Sequence, residues 1–240
     1  MKVTPEVKRT LIGFIIQMAT GTIAYFITHN MILAVGIFAV ALVITISIPT
    51  FLRHARIIRR GGIIDVFENQ TSCKDLIAER IENSHRVAIL AVQAFHIIRP
   101  VEAPFFEAMT KRGGRRGSPI RLCLLNPEAH ESIRIRAKEI GEKEEDFIRF
   151  IEDSIVAAND LKNNYAVDIQ VKLYSKLPVW QLFIFDDCLF ASFYSSGIER
   201  HRRKHYQIAE GSPLYHSFVR YFNYLWDTGV KPQRKLLKKP

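Results

Sequence analysis

The sequence predicts an α/β protein in two parts. A transmembrane helical hairpin over residues 1–60 precedes a cytosolic α/β domain with a mixed sheet over residues 61–229, and a basic tail fills residues 230–240. Three observations carry that expectation. Two long apolar runs, Leu11 to Thr28 and Met31 to Leu52, contain no charged side chain. Beyond Gly61 the chain changes to short apolar runs of strand length alternating with amphipathic stretches of helix length, the pattern of helices packed on a sheet. The basic residues are concentrated beside the apolar runs and in a few later clusters.

Each apolar run approaches the ~20 residues that a helix needs to cross a hydrocarbon core of about 30 Å at about 1.5 Å per residue. A cleaved signal peptide does not fit the first run, which is long, shows no small-residue cleavage site, and is followed after only His29 and Asn30 by the second. The alternative is a buried two-helix core of a soluble protein, but soluble helices seldom lack charge over about 40 residues. Lys2, Lys8 and Arg9 precede the first run and Arg53, Arg56, Arg59 and Arg60 follow the second, whereas the turn between them has neither Lys nor Arg. Positive flanks stay cytoplasmic, so the chain is expected to cross the inner (cytoplasmic) membrane twice with both termini inside.

In the soluble part, Ser72 with Asp75 resembles a capping box, and Leu76, Ile77 and Ile81 mark one face of the helix that follows. The run RVAILAV, Arg86 to Val92, is short and almost wholly apolar, as a central strand covered on both faces would be. Phe105, Phe106 and Met109 give a second amphipathic helix ending at the glycine-rich loop Gly113 to Gly117, and IRLCLLNP, Ile120 to Pro127, is a second buried strand closed by Asn-Pro. Glu128 to Leu161 reads as one helical section with Ile140, Phe147, Ile148, Ile151 and Ile155 on one side. VDIQVKLY, Val167 to Tyr174, alternates between a core face and a solvent face. Two apolar strands then meet at Asp186-Asp187, a short strand lies near Tyr206 to Ala209, and Ser212-Pro213 opens a last helix that stops at Gly229.

Cys73, Cys123 and Cys188 are widely spaced and lack metal-ligand company, so they are expected to be reduced core residues; no metal or other cofactor is implied. The net charge of +10 first suggests nucleic acid. Juxtamembrane Lys and Arg attract anionic lipid at about 1 kcal/mol each, however, which accounts for Arg53 to Arg60 without such a partner and leaves nucleic acid the weaker reading. The clusters Lys111 to Arg116, Arg200 to Lys204 and Lys231 to Lys239 are solvated loops or polyanion contacts.

The order of elements from about residue 63 to 228, with the RVAILAV, RGSPIRLCLLNP and VDIQVKLY strands and the Asp-Asp hairpin, resembles one repeat of the phospholipase D-like fold. In active members of that family the strand entering the hairpin carries a His that attacks phosphorus, a phosphate-binding Lys two residues on, and an Asp five further. That spacing falls here on Trp180, Leu182 and Asp187. An indole is no phosphorus nucleophile and an isobutyl group neutralises no phosphate, so the resemblance implies a scaffold without that reaction. It also implies a homodimer or higher homo-oligomer, because such repeats pair to build one site.

The remaining candidates are ligand-binding groups. Trp180 and Gln181 with Tyr194, Ser195 and Ser196 offer an aromatic face, an amide and hydroxyls suited to a base or nucleoside, and Arg121 could meet its phosphate. The competing reading of Trp180 is simple core packing. His96 follows the first central strand at its C-terminal end, where α/β folds place ligands. Three functions follow as expectations. The first is a membrane-anchored, non-catalytic sensor or effector that couples a ligand, a nucleotide among the options, to the hairpin, in prokaryotic antiviral or stress defence. The second is a membrane-bound phosphodiester hydrolase or nuclease with a relocated centre at His96, His201 or His205. The third is a membrane scaffold for another protein.

Overall fold

The computed structural model describes residues 61–99, 103–113, 118–194, 203–233 and 236. The expected transmembrane hairpin, Ser195, Ser196 and His201 lie outside the described residues.

The aliphatic and aromatic runs form a seven-stranded mixed sheet in the order β1-β7-β6-β5-β2-β3-β4. β2 (Ala88–Ala91), β3 (Ile120–Leu125) and β4 (Ile169–Tyr174) are parallel neighbours. β5 (Trp180–Ile184) runs antiparallel to β2 and forms a hairpin with β6 (Cys188–Phe193), β7 (His205–Ala209) pairs antiparallel with β6, and β1 (Ile63–Phe67) closes the edge against β7. All four residues of β2 are buried, as a strand covered on both faces requires.

Helices α1 (Gln70–Asn83), α2 (Phe95–Ile98), α3 (Ala103–Gly113), α4 (His130–Ile140), α5 (Glu144–Asn164) and α6 (Pro213–Thr228) complete the domain. Side chains alternate across a strand, so Trp180 and Leu182 face one side of the sheet and Gln181 and Phe183 the other. Phe218 of α6 meets Trp180, whereas Phe105 of α3 stacks on Phe183. α6 therefore covers one face, and α3 covers the other. α6 is capped by Ser212, whose side chain accepts the Tyr215 amide, with Pro213 in its first turn.

Several elements depart from the sequence expectation. α1 is capped by Asn69, whose side chain accepts the Ser72 amide, so the helix starts before the Ser72-Asp75 pair. The section expected as one helix breaks into α4 and α5 at Gly141, whose φ of 72° is the left-handed conformation that glycine adopts without a Cβ penalty. β1 and the single turn α2 had no sequence forecast. Cys73, Cys123 and Cys188 are free and buried, as expected.

Two of the basic clusters are not simply solvated. Arg112 is buried, and its guanidinium donates to the carbonyls of Ser84, His85 and Ser118. Arg203 and His205 are buried too, because His205 opens β7 instead of lying in a loop.

Candidate functional site

The parallel strands β2, β3 and β4 all finish at one end of the sheet. β5 begins there, β6 ends there and β7 begins there, which gathers side chains from the ends of six strands. In open α/β sheets this carboxyl end is where ligands are received.

Tyr194, just past β6, is the centre of that end. Its hydroxyl accepts the Val92 amide at 3.1 Å, tying β6 to the end of β2. Two guanidiniums lie over its ring, Arg136 at 4.7 Å and Arg203 at 5.0 Å from the ring centre. Arg136 comes from α4, is only 2% exposed, and pairs with Glu139 one turn on. Buried positive charge requires compensation, and cation–π contact with one carboxylate partner supplies part of it.

Behind Tyr194 lies a row of buried polar groups across β5, β6 and β7. Gln181 and Ser192 are cross-strand partners, and the β6–β7 register that pairs Ala191 with Tyr206 continues to set His205 beside Ser192. All three are buried. His205 donates from Nδ1 to the Arg203 carbonyl at 3.1 Å. Three buried polar atoms of this end, Arg136 Nη2, Ser192 Oγ and Gln93 Oε1, have no hydrogen-bond partner. Each such group costs about 1–3 kcal/mol unless something satisfies it.

Tyr174 at the end of β4 belongs to the same neighbourhood. Burial pushes its hydroxyl well above the ordinary tyrosine value, Tyr194, Cys123 and Tyr221 push it further, and Arg136 opposes them. The hydroxyl stays protonated and donates to the Ala91 carbonyl at 3.4 Å. Chemically the assembly offers guanidiniums, an amide and hydroxyls, the inventory of an anion receptor. Among the described residues no group of three or more His, Cys, Asp and Glu side chains is placed to hold a metal ion.

The structure brings Gln181, Tyr194 and His205 to this end, turns Trp180 to the opposite face, and places Leu182, Asp187 and Arg121 elsewhere. Trp180 starts β5 at the same end but on the opposite face, where its ring meets Phe193 at 5.2 Å and Phe218 at 4.9 Å, edge to face. Leu182, in the position matching the family's lysine, is 0% exposed between Leu90 and Ala191. Asp187 lies at the far end of the hairpin and pairs with Arg80 at 2.7 Å, while its neighbour Asp186 accepts the Arg86 amide at 3.0 Å. Arg121 sits near the start of β3 over the rings of Phe222 and Trp226, so it does not share a ligand with Tyr194. Burial lowers its pKa, Arg86 lowers it further and Asp227 opposes them. His96 belongs to α2 by its backbone.

Arg136, Ser192 and Tyr174 were not anticipated, and Arg203 was named only within the basic cluster Arg200 to Lys204. A signal for Arg136 exists: Ile133, Arg136, Ala137 and Ile140 form the i, i+3, i+4, i+7 stripe of α4, so an arginine occupies a buried register position.

No known protein family matches the sequence, and no curated protein does. Solved structures of similar shape include the archaeal chromatin protein TrmBL2, whose structure is described as showing a novel mode of DNA binding (14% identity, 71% of this chain and 54% of that one, TM-score 0.41). They also include Nuc from Salmonella typhimurium, a phospholipase D family member (14% identity, 70% and 98%, TM-score 0.44). NucT from Helicobacter pylori is a third (12% identity, 70% and 98%, TM-score 0.43). The chain thus spans about half the length of the chromatin protein. All three scores lie below 0.5, so the likenesses carry no argument about what this chain does.

Proposed function

We propose that the chain is a membrane-anchored binding protein whose phospholipase D-like domain receives a phosphate-bearing ligand, such as a nucleotide, without cleaving it. One observation carries this reading. The two positions that match the family's nucleophile and phosphate-binding lysine are packed apolar side chains, while buried guanidinium and hydroxyl groups with unmet hydrogen bonds converge at that same end of the sheet. Such groups bind an anion and offer no nucleophile matched to a general base. The two-pass anchor gives the output: a ligand that prefers one arrangement of paired domains shifts the attached helices by its difference in affinity. Homodimerisation and an effector role in prokaryotic antiviral or stress defence complete the proposal.

The test uses the full chain purified in mild detergent. Native mass spectrometry is expected to find a co-purified phosphate-bearing small molecule, and Arg136→Gln to release it while leaving the melting temperature within a few degrees. Cleavage of a generic phosphodiester that is lost on His96→Ala or His205→Ala would replace this reading with the relocated hydrolase.

A further inference from the structure

β4 is one of the two edge strands of the sheet, and it borders an open cleft of about 410 Å³. The floor is apolar, built by Ile155 of α5, Val171 of β4 and Trp226 of α6. The rim carries Lys162 from the last turn of α5, Lys172 from β4 and Lys231 from the segment after α6, and no carboxylate among the described residues lines it. This cleft is separate from the Tyr194 site. None of its lining residues belongs to that cluster.

The third lysine is placed by backbone structure. Val230 and Leu173 exchange both amide bonds, at 2.8 and 3.0 Å, so the chain after α6 runs beside β4 and carries Lys231 to the rim. Gly229 makes the approach possible, since a Cβ there would lie 2.9 Å from the Leu225 carbonyl and 3.2 Å from that of Leu173. Lys172 is held as well: its Nζ donates to the Trp226 carbonyl at 2.8 Å and lies 5.2 Å from the indole centre. An ammonium has three donors, so two remain for another partner.

The geometry points to a second binding site for an organophosphate, a phosphate carried on an apolar or aromatic body, with its anionic group among Lys162, Lys172 and Lys231 and its body on the floor. Three like charges around one opening repel one another, and an anion between them removes that repulsion. The volume lies within the roughly 300–1,000 Å³ of small-molecule sites and exceeds what inorganic phosphate fills. A soluble nucleotide and an anionic lipid share this chemistry.

The experiment uses the full chain in detergent with Trp180→Phe, which leaves Trp226 as the reporter indole, since the chain has two tryptophans. ADP, inorganic pyrophosphate and mixed micelles containing phosphatidic acid are titrated separately. ADP or phosphatidic acid is expected to change Trp226 emission and to bind more tightly than pyrophosphate. The pair Lys162→Glu and Lys231→Glu should weaken that binding at least about 10-fold, equal to roughly 1.4 kcal/mol. Response to ADP alone identifies a soluble ligand, and response to phosphatidic acid alone a lipid. The proposal falls if no probe responds, if the reversed charges leave affinity unchanged, or if Arg136→Gln weakens binding as much as they do, because the ligand would then occupy the Tyr194 site.

Discussion

Replacing Leu182 with lysine tests whether that position is packed in the sheet or opens to a water-filled cleft. Leu182 is fully buried between strands β2 and β6. Removing a leucine from such a site forfeits about 2 kcal/mol of apolar transfer, part of which the lysine stem recovers. The ammonium is the larger effect. A fully buried lysine has its pKa lowered by about 3–5 units, so neutralising it at pH 7 costs a few kcal/mol within a total domain stability of about 5–15 kcal/mol. Leu182→Met, of similar volume, should cost under about 1.5 kcal/mol. Denaturant titration of the detergent-solubilised chain, followed by tryptophan emission, measures both. The sign with pH is fixed. A lysine whose folded pKa lies below its unfolded value binds fewer protons when folded, so the variant regains stability as pH rises from about 7 towards about 10. A Leu182→Lys protein as stable as the parent and indifferent to pH in that window would place the side chain in water, and the reasoning from packing would be wrong.

Other outcomes follow from single features. Gly141→Ala should destabilise by about 1 kcal/mol in thermal denaturation, because its φ of 72° is left-handed although nothing lies within 4 Å of the added Cβ. Burial raises the Asp186 carboxyl, but hydrogen bonds from the Arg86 and His85 amides and from the Arg86 guanidinium outweigh it and hold the pKa below the usual value. The stability it contributes is therefore present above the unfolded carboxylate pKa of about 3.9 and lost as pH falls through the lower folded value. Asp186→Asn should flatten the acid limb of a pH–stability curve. Burial pushes the Cys73, Cys123 and Cys188 thiols up to about 12 each. A thiol reagent at pH 8 should therefore leave all three unmodified in the folded protein and label all three in denaturant.

The strands and the outline of the domain were legible because their signals are local. β2 is an unbroken aliphatic run and β3 is apolar but for Arg121 near its start, the pattern of strands covered on both faces. The Ser212-Pro213 start and Gly229 stop of α6 are read from capping chemistry alone. β1 was missed because Asp65 interrupts a five-residue run and the strand is held by the edge of β7, a partner about 140 residues away that no local pattern reveals. The break at Gly141 was missed for a different reason: the apolar stripe continues on both sides of it, and periodicity does not register one left-handed residue.

The site was legible at Gln181 and Tyr194, which the ligand-binding reading named, and not at the positions the resemblance marked. Trp180 and Gln181 are adjacent in sequence and were grouped as one pocket, yet the two-residue period of a strand sends them to opposite faces, one into aromatic packing with Phe218 and one into the polar row with Ser192. Arg121 and Tyr194 were grouped by charge complementarity, which carries no information about which end of a strand each occupies. Arg136 shows what sequence reading could have used instead. An arginine in the apolar register of a helix is costly to bury, so it signals a partner beyond the helix before any strand is placed. Here that partner includes the ring of Tyr194, and Nη2 still lacks an acceptor. A buried donor left over after folding is the feature on which the proposed ligand site rests, and Arg136 Nη2 puts one at the Tyr194 end of the sheet.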